Sequence, residues 1–127
     1  MIENSILRSI LLVLIALVHA GVAIRTLLDP EQSAAELGYT LLAPNGYSEM
    51  FAIYIGIWLA IAFLCMLASV RIELSLLGDL AAVFVLAQSV GRLLALVKYG
   101  LPQGPLLVFA VLEAVGGLAL CAVRPKA

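Results

Sequence analysis

Charged side chains are scarce in this sequence and occupy 12% of its positions. A soluble domain usually has about 25%, and the mean hydropathy of +1.18 is correspondingly high. The formal net charge is −1, which offers no basic surface to nucleic acid. The chain has one histidine, and it lacks Cys-x-x-Cys, His-Glu-x-x-His and glycine-rich phosphate-loop motifs. We therefore expect no metal site, no cofactor and no nucleic-acid partner.

Long apolar runs make up most of the chain. They cover residues 9–24, 50–70, 74–96 and 106–123, and a helix of roughly 17 to 25 apolar residues crosses a bilayer. We predict an all-α fold, a four-helix transmembrane bundle that forms a single integral membrane domain over residues 1–127. The predicted spans are about 6–27, 49–70, 73–97 and 105–123. The two cysteines, Cys65 and Cys121, lie in these runs and are expected to be small buried side chains.

The first apolar run also has features of a secretory signal peptide. Arg8 precedes it, and Val18-His19-Ala20 has the form of a cleavage site. Its apolar character continues through Ile24, however, so we interpret the run as the first membrane helix.

The connection after the first span contains the start signal of a short helix. Asp29 suits the N-cap, Pro30 the first helical position, and Gln32 the third residue of a capping box. Gly38 is placed to end that helix about two turns later. We predict a short interfacial helix over residues 30–37, in the first outer loop.

The distribution of cationic residues predicts the orientation of the bundle. Four spans place both termini on one side, and the cations of that side outnumber those of the other. The first group is Arg8, Arg71, Arg124 and Lys126, and the second is Arg25 and Lys98. The positive-inside rule then puts both termini in the cytoplasm, with the protein in the inner (cytoplasmic) membrane.

Small residues recur at every fourth position on two of the spans. One stripe is Ala52, Gly56 and Ala60, and the other is Ala87, Gly91 and Ala95. Such stripes let helix backbones approach closely inside lipid. We favour packing within one bundle, and the alternative is contact between protomers in a homo-oligomer or a larger membrane complex.

Arg92 and Glu113 are ionisable residues inside the third and fourth spans. At about 1.5 Å per residue, Arg92 lies roughly 7 to 8 Å and Glu113 roughly 12 Å below the outer surface. His19, Tyr54 and Gln88 fall at a similar depth. An unpaired charge there costs several kcal/mol, so we predict that Arg92 and Glu113 pair within a polar pocket.

Each of these polar residues also has a purely structural interpretation. Arg92 would then extend to the outer interface, Glu113 would be a protonated core acid, and His19 would be a packing residue. Tyr54 and Trp58 would be interfacial aromatics without a further role. Asp79, near the cytoplasmic end, is expected to face water or a neighbouring helix end close to Arg71.

Several short motifs resemble one known family. Gly91-Arg92, Gly100-Leu101-Pro102 and Leu112-Glu113 resemble the bacterial four-helix membrane proteins grouped as domain of unknown function 4345, which are distantly similar to DoxX-like proteins. Pro30, Leu37-Gly38 and Gly56 fit the same pattern. The resemblance covers nearly the whole chain and implies the four-helix fold and the Arg92–Glu113 pair, but no activity.

The leading functional hypothesis is binding of a small lipophilic or amphipathic molecule in an outward-facing polar pocket. Arg92 would anchor an anionic or carbonyl group, Glu113 would orient Arg92, and the wall would include His19, Tyr54 and Gln88. One alternative is a cofactor-independent membrane enzyme of isomerase, cyclase or oxygenase type, with Glu113 or His19 as acid or base. Another is an accessory subunit of a membrane complex. Transport is disfavoured, because a single copy has too few helices for alternating access.

Overall fold

The structure is a computed structural model and describes residues 2–125. Lys126, counted above among the cationic residues, lies outside this part of the chain. Five helices account for most of the described residues, and two strands of two residues each flank them. The elements are β1 (Ile2–Glu3), α1 (Ser5–Leu28), α2 (Pro30–Glu36), α3 (Asn45–Val70), α4 (Ser75–Tyr99), α5 (Pro105–Ala122) and β2 (Val123–Arg124).

The four long helices form a bundle, and each is long and apolar enough to cross a membrane. This confirms the predicted all-α fold of a multi-pass membrane protein. α1 packs mainly against α3, and α4 packs against α3 and α5, whereas α5 has only a few contacts with α1. The seam between α1 and α5 is therefore the loosest in the bundle.

Local sequence signals explain where the helices begin and end. The Asn4 side chain accepts a hydrogen bond from the Leu7 backbone N–H (2.9 Å), and Asp29 caps α2 in the same way through Gln32 N–H (3.1 Å). The Gln32 side chain is hydrogen-bonded to Glu36 and not to the backbone of Asp29. Only the Asp29 half of the predicted capping box is therefore present. α3 begins at Asn45, earlier than predicted, because Asn45 and Gly46 form its first turn.

The interior of the bundle is built around small side chains, but these are not the predicted stripes. Both stripes face the outside of the bundle, so the prediction that they pack within it is wrong. Helices that are apolar on every side give no periodic signal to show which face points inward. The core alanines are Ala16, Ala62, Ala68, Ala81 and Ala82. Cys65 joins this core as expected, whereas Cys121 is exposed.

At the terminal end of the bundle, which carries β1, β2 and residues 71–74, the two ends of the chain are joined. β1 and β2 pair in parallel, with Ile2 opposite Val123. Arg8 is 1% exposed and donates to Asp79 Oδ1 (2.7 Å) and to the carbonyls of Val123 (2.9 Å) and Ser75 (3.2 Å). This arginine therefore ties α1 to α4 and to the C-terminal strand.

Asp79 also pairs with Arg124, so its partners are two arginines from the chain ends and not Arg71. Asp79 therefore faces neighbouring helix ends, as expected, and its side chain stays 35% exposed, but its partners differ from the expected Arg71. Gly78 makes room for this arrangement: a Cβ there would lie 2.5 Å from Arg8 Nη2. The sequence shows Arg8 only as a flanking charge and gives no sign of its burial.

Candidate functional site

All four long helices contribute to a polar cluster in the half of the bundle nearer to α2. This end, which also carries residues 100–104, is called the α2 end below. The cluster contains all five predicted ligand-binding residues and one tryptophan. They are His19 from α1, Tyr54 and Trp58 from α3, Gln88 and Arg92 from α4, and Glu113 from α5.

Arg92 and Glu113 form the predicted pair, with two hydrogen bonds. Arg92 Nε donates to Glu113 Oε2 (2.7 Å) and Nη2 donates to Oε1 (2.9 Å). The Glu113 side chain is 4% exposed and that of Arg92 is 21% exposed. Bidentate geometry fixes the plane of the guanidinium and satisfies both carboxylate oxygens. The second terminal nitrogen of Arg92, Nη1, is not used by this pair.

His19 is held by contacts to both of its ring nitrogens. Nδ1 lies 2.9 Å from the Ile15 carbonyl oxygen, and Nε2 lies 3.3 Å from the Gln88 side-chain nitrogen. A carbonyl can only accept, so Nδ1 carries a hydrogen, and Nε2 accepts from the Gln88 amide. This pair crosses from α1 to α4, as the ion pair crosses from α4 to α5.

Trp58 is the centre of an aromatic group and not an interfacial residue. It is 3% exposed, and its ring lies 4.9 Å from that of His19 and 5.6 Å from those of Tyr54 and Phe109. The interpretation of Trp58 as a membrane-interface aromatic is therefore wrong. Its place near the middle of α3 is the signal in the sequence that would have indicated this.

The backbone of α3 departs from α-helical geometry where it meets the cluster. Residues Phe51–Ile57 form a π-helical stretch that includes Tyr54 and ends immediately before Trp58. Such widened turns are rare and occur frequently at functional sites. Tyr54 and Tyr39, which lies in the loop after α2, are both close enough to Arg92 to interact with its charge.

The cluster separates two compartments between the helices. A groove of about 280 Å³ lies between α3 and α4 and is lined by Tyr54, Gln88 and Arg92. A cavity of about 190 Å³ lies between α1 and α5, with His19 and Glu113 in its wall. Trp58 borders both spaces. Each polar pair thus has one member in each compartment, and the five predicted residues form a partition and not one pocket.

Ionic contacts hold α2 against the spans at this end. Glu36 pairs with Arg25 of α1, and Glu31 accepts a hydrogen bond from the Tyr47 hydroxyl of α3 (2.7 Å). The bond from Arg25 holds the pKa of the Glu36 carboxyl below its usual value. The bond from Tyr47 does the same for the pKa of Glu31. α2 is therefore joined to two helices through ionised carboxylates.

The arrangement provides fixed hydrogen-bond donors next to apolar space. Within residues 2–125, no group of three or more His, Cys, Asp or Glu side chains is placed to hold a metal ion. Arg92 is the only one of the five predicted residues that carries a positive charge into the groove. Glu113 is occupied by Arg92, which leaves His19 as the other candidate acid or base facing the cavity.

Comparison with known proteins gives one match. The family model described as a domain of unknown function, DUF4345, matches residues 7–123, which include the whole polar cluster. No curated protein and no solved structure is similar enough to the chain to be matched.

Proposed function

The chain belongs to the family of domain of unknown function 4345, and we propose from its site that it binds a small amphipathic molecule in the membrane through the guanidinium of Arg92. The groove between α3 and α4 is the binding site. The single observation that carries the proposal is the bidentate Arg92–Glu113 pair, which orients a cation beside that groove.

The geometry of the pair favours a ligand with an acceptor oxygen. Glu113 engages Arg92 Nε and Nη2, so the two hydrogens of Nη1 remain for a carbonyl, carboxylate or phosphate group of the ligand. A charge-assisted hydrogen bond in an apolar groove is stronger than a neutral one. Glu113 acts as the positioning residue, because it fixes the plane from which Nη1 points.

The rest of the groove suits the apolar part of such a molecule. Gly91 and Ala95 leave space along one wall because their side chains are small or absent, and Ile53 and the Trp58 ring supply apolar surface. Tyr54 stands beside Arg92 and adds a hydroxyl group at the same level. The ligand thus has its polar group toward the partition and its apolar part toward the lipid.

The proposed setting is the inner (cytoplasmic) membrane, with both termini in the cytoplasm and the groove in the outer half of the bilayer. Arg71 and Arg124 support this orientation, because they lie at the terminal end. Arg8 contributes less, because it is buried beside Asp79.

A second candidate function is that of a subunit in a membrane complex or homo-oligomer. It is favoured by the two small-residue stripes, which face outward and leave room for a partner helix to approach closely. The stripe on α4 borders the same groove, because Gly91 and Ala95 belong to both. A ligand and a partner helix therefore cannot occupy this face at the same time.

Native mass spectrometry of the protein purified from its membrane tests the first proposal. Wild type is expected to retain a small amphipathic molecule. The double variant Arg92→Met/Glu113→Leu should lose it and remain folded, because replacing both members of a buried pair is often neutral or stabilising. Lys98→Met, at an exposed cation of α4, is the matched control and should retain the molecule. Equal retention by all three proteins, or none by wild type, would contradict the proposal.

A further inference from the structure

The cavity between α1 and α5 is chemically different from the Arg92 groove. We propose that it holds a hydrocarbon chain of a membrane lipid, which enters from the bilayer through the seam between these helices. This inference does not depend on any ligand of Arg92.

The cavity lies where the surrounding medium is hydrocarbon. Its lining runs along α1 from Leu11 to His19, in the middle of a helix that extends from Ser5 to Leu28. Leu14, Val18 and Val115 at its border are 54%, 39% and 62% exposed, so the opening faces sideways, toward lipid. An open space at this depth is accessible to acyl chains from the bilayer.

The polar groups of the cavity wall are already occupied, which favours a hydrocarbon over a polar ligand. His19 is bonded through Nδ1 to Ile15 and through Nε2 to Gln88. Both carboxylate oxygens of Glu113 are bonded to Arg92. A polar ligand group would therefore find no unpartnered donor or acceptor in this wall, and it would not fully replace the hydrogen bonds that it leaves behind. A methylene chain has no such cost.

The size of the cavity suits part of a chain. Its volume is about 190 Å³, and a dry apolar cavity of about 150 Å³ holds a benzene ring. The space exists partly because position 116 is glycine: a Cβ there would already lie 3.4 Å from Ile15 Cδ1. A large side chain at position 116 would therefore fill the cavity and narrow the seam.

Trp58 provides a direct measurement, because it is the single tryptophan of the chain and lines the cavity. The protein is reconstituted in phosphatidylcholine vesicles whose acyl chains carry bromine at mid-chain, a short-range quencher of tryptophan fluorescence. Wild type should be strongly quenched, and Gly116→Leu should lose most of the quenching that occurs through the cavity. Quenching through the groove, which Trp58 also borders, is unaffected by this substitution.

Gly21→Leu is the matched control. It adds the same side chain to an exposed glycine of α1 that has no neighbour within 4 Å and does not line the cavity. Its quenching should equal that of wild type. If Gly116→Leu fails to fold, Gly116→Ala should show a smaller loss of quenching.

Quenching that is equal in wild type and the Gly116 variants, or absent in wild type, would overturn the inference. The loss of co-purification in the Arg92 double variant reports on the groove, and the loss of quenching in Gly116→Leu reports on the cavity, so either proposal can fail while the other stands.

Discussion

Individual charges are tolerated inside these helices because each has a defined counter-charge. Glu113 neutralises Arg92 near the α2 end, and Asp79 neutralises Arg8 near the terminal end. Removing one member of such a pair leaves a buried charge without compensation, which is more costly than removing both. The two pairs differ in exposure: Arg8 is closed inside protein, whereas Arg92 borders a groove. This difference is why we propose ligand binding for Arg92 and a structural role for Arg8.

The structural role of Arg8 can be measured with Asp79→Asn. The variant removes the charge that Arg8 and Arg124 share, and it should lower the free energy of unfolding by about 3 kcal/mol, the lower end of the range for breaking a buried pair. The lower end applies because Asp79 is 35% exposed and Arg8 keeps its bonds to Val123 and Ser75. Chemical denaturation in detergent gives the value. Arg71→Gln, at an exposed arginine of the same end, should change it by less than about 0.5 kcal/mol. Similar changes in the free energy of unfolding from both substitutions would contradict the structural role of Arg8.

At the scale of elements, the helix pairs of the bundle are not packed equally closely. The cavity between α1 and α5 and the groove between α3 and α4 follow from this difference. The Leu86 side chain and Gly117 let α4 and α5 approach closely, since a Cβ at position 117 would lie 2.6 Å from Leu86. The α1–α5 seam has few contacts, and the cavity lies there. The π-helical stretch of α3 brings Tyr54 and Trp58 to the groove on the other side.

The attachment of α2 to α1 should depend on pH through Glu36. Its pKa is depressed in the folded protein by the bond from Arg25, relative to an unfolded value of about 4.3. The stabilisation is therefore fully present above that value and is lost as the pH falls through the lower folded-state pKa. Hydrogen-exchange protection factors of the α2 amides should fall in this acidic range.

Two variants check the assignment of this pH effect to Glu36. Glu36→Gln should lower the protection of α2 already at neutral pH, because the charge that pairs with Arg25 is absent. Glu49→Gln, at an exposed carboxylate on α3, should leave the protection and its pH dependence unchanged. A wild-type profile that persists in Glu36→Gln would show that another group controls the attachment.

At the scale of the whole molecule, both chain ends meet at one end of the bundle. The parallel pairing of β1 with β2 and the bond from Arg8 to the Val123 carbonyl hold them together. The connection between α3 and α4 lies at the same end, and residues 100–104 lie at the other. The fold therefore offers two exposed connections that report the orientation in the membrane.

Cysteine labelling tests the proposed orientation. In a Cys121→Ser background, where Cys65 is fully buried, a membrane-impermeant maleimide should label Gln103→Cys in intact cells. Glu73→Cys, in the connection between α3 and α4, should react only after the membrane is permeabilised. The reverse pattern would place the termini outside the cytoplasm. Labelling of both positions in intact cells would contradict the prediction that they lie on opposite sides of the membrane.

The candidate site could be predicted in part because bilayer depth is proportional to position along a helix. Counting residues from the helix ends brought Arg92 and Glu113 to one level, and the structure pairs them. Counting residues does not show, however, which face of a helix points into the bundle. Depth alone therefore does not show that Trp58 is buried, or that the cluster separates two compartments where one pocket is predicted.

The amino-acid sequence by itself determined that the chain is a bundle of four membrane-spanning helices, because runs of this length and hydropathy have no other stable arrangement in lipid. It also determined that Arg92 and Glu113 pair, since the energetic cost of a lone charge in lipid leaves few alternatives. Only the tertiary structure decided which faces point inward, that Arg8 is buried, and that the α1–α5 seam is loose. Lipid and protein core are equally apolar, so hydrophobicity cannot orient a helix that lies between them, and side-chain packing does so instead.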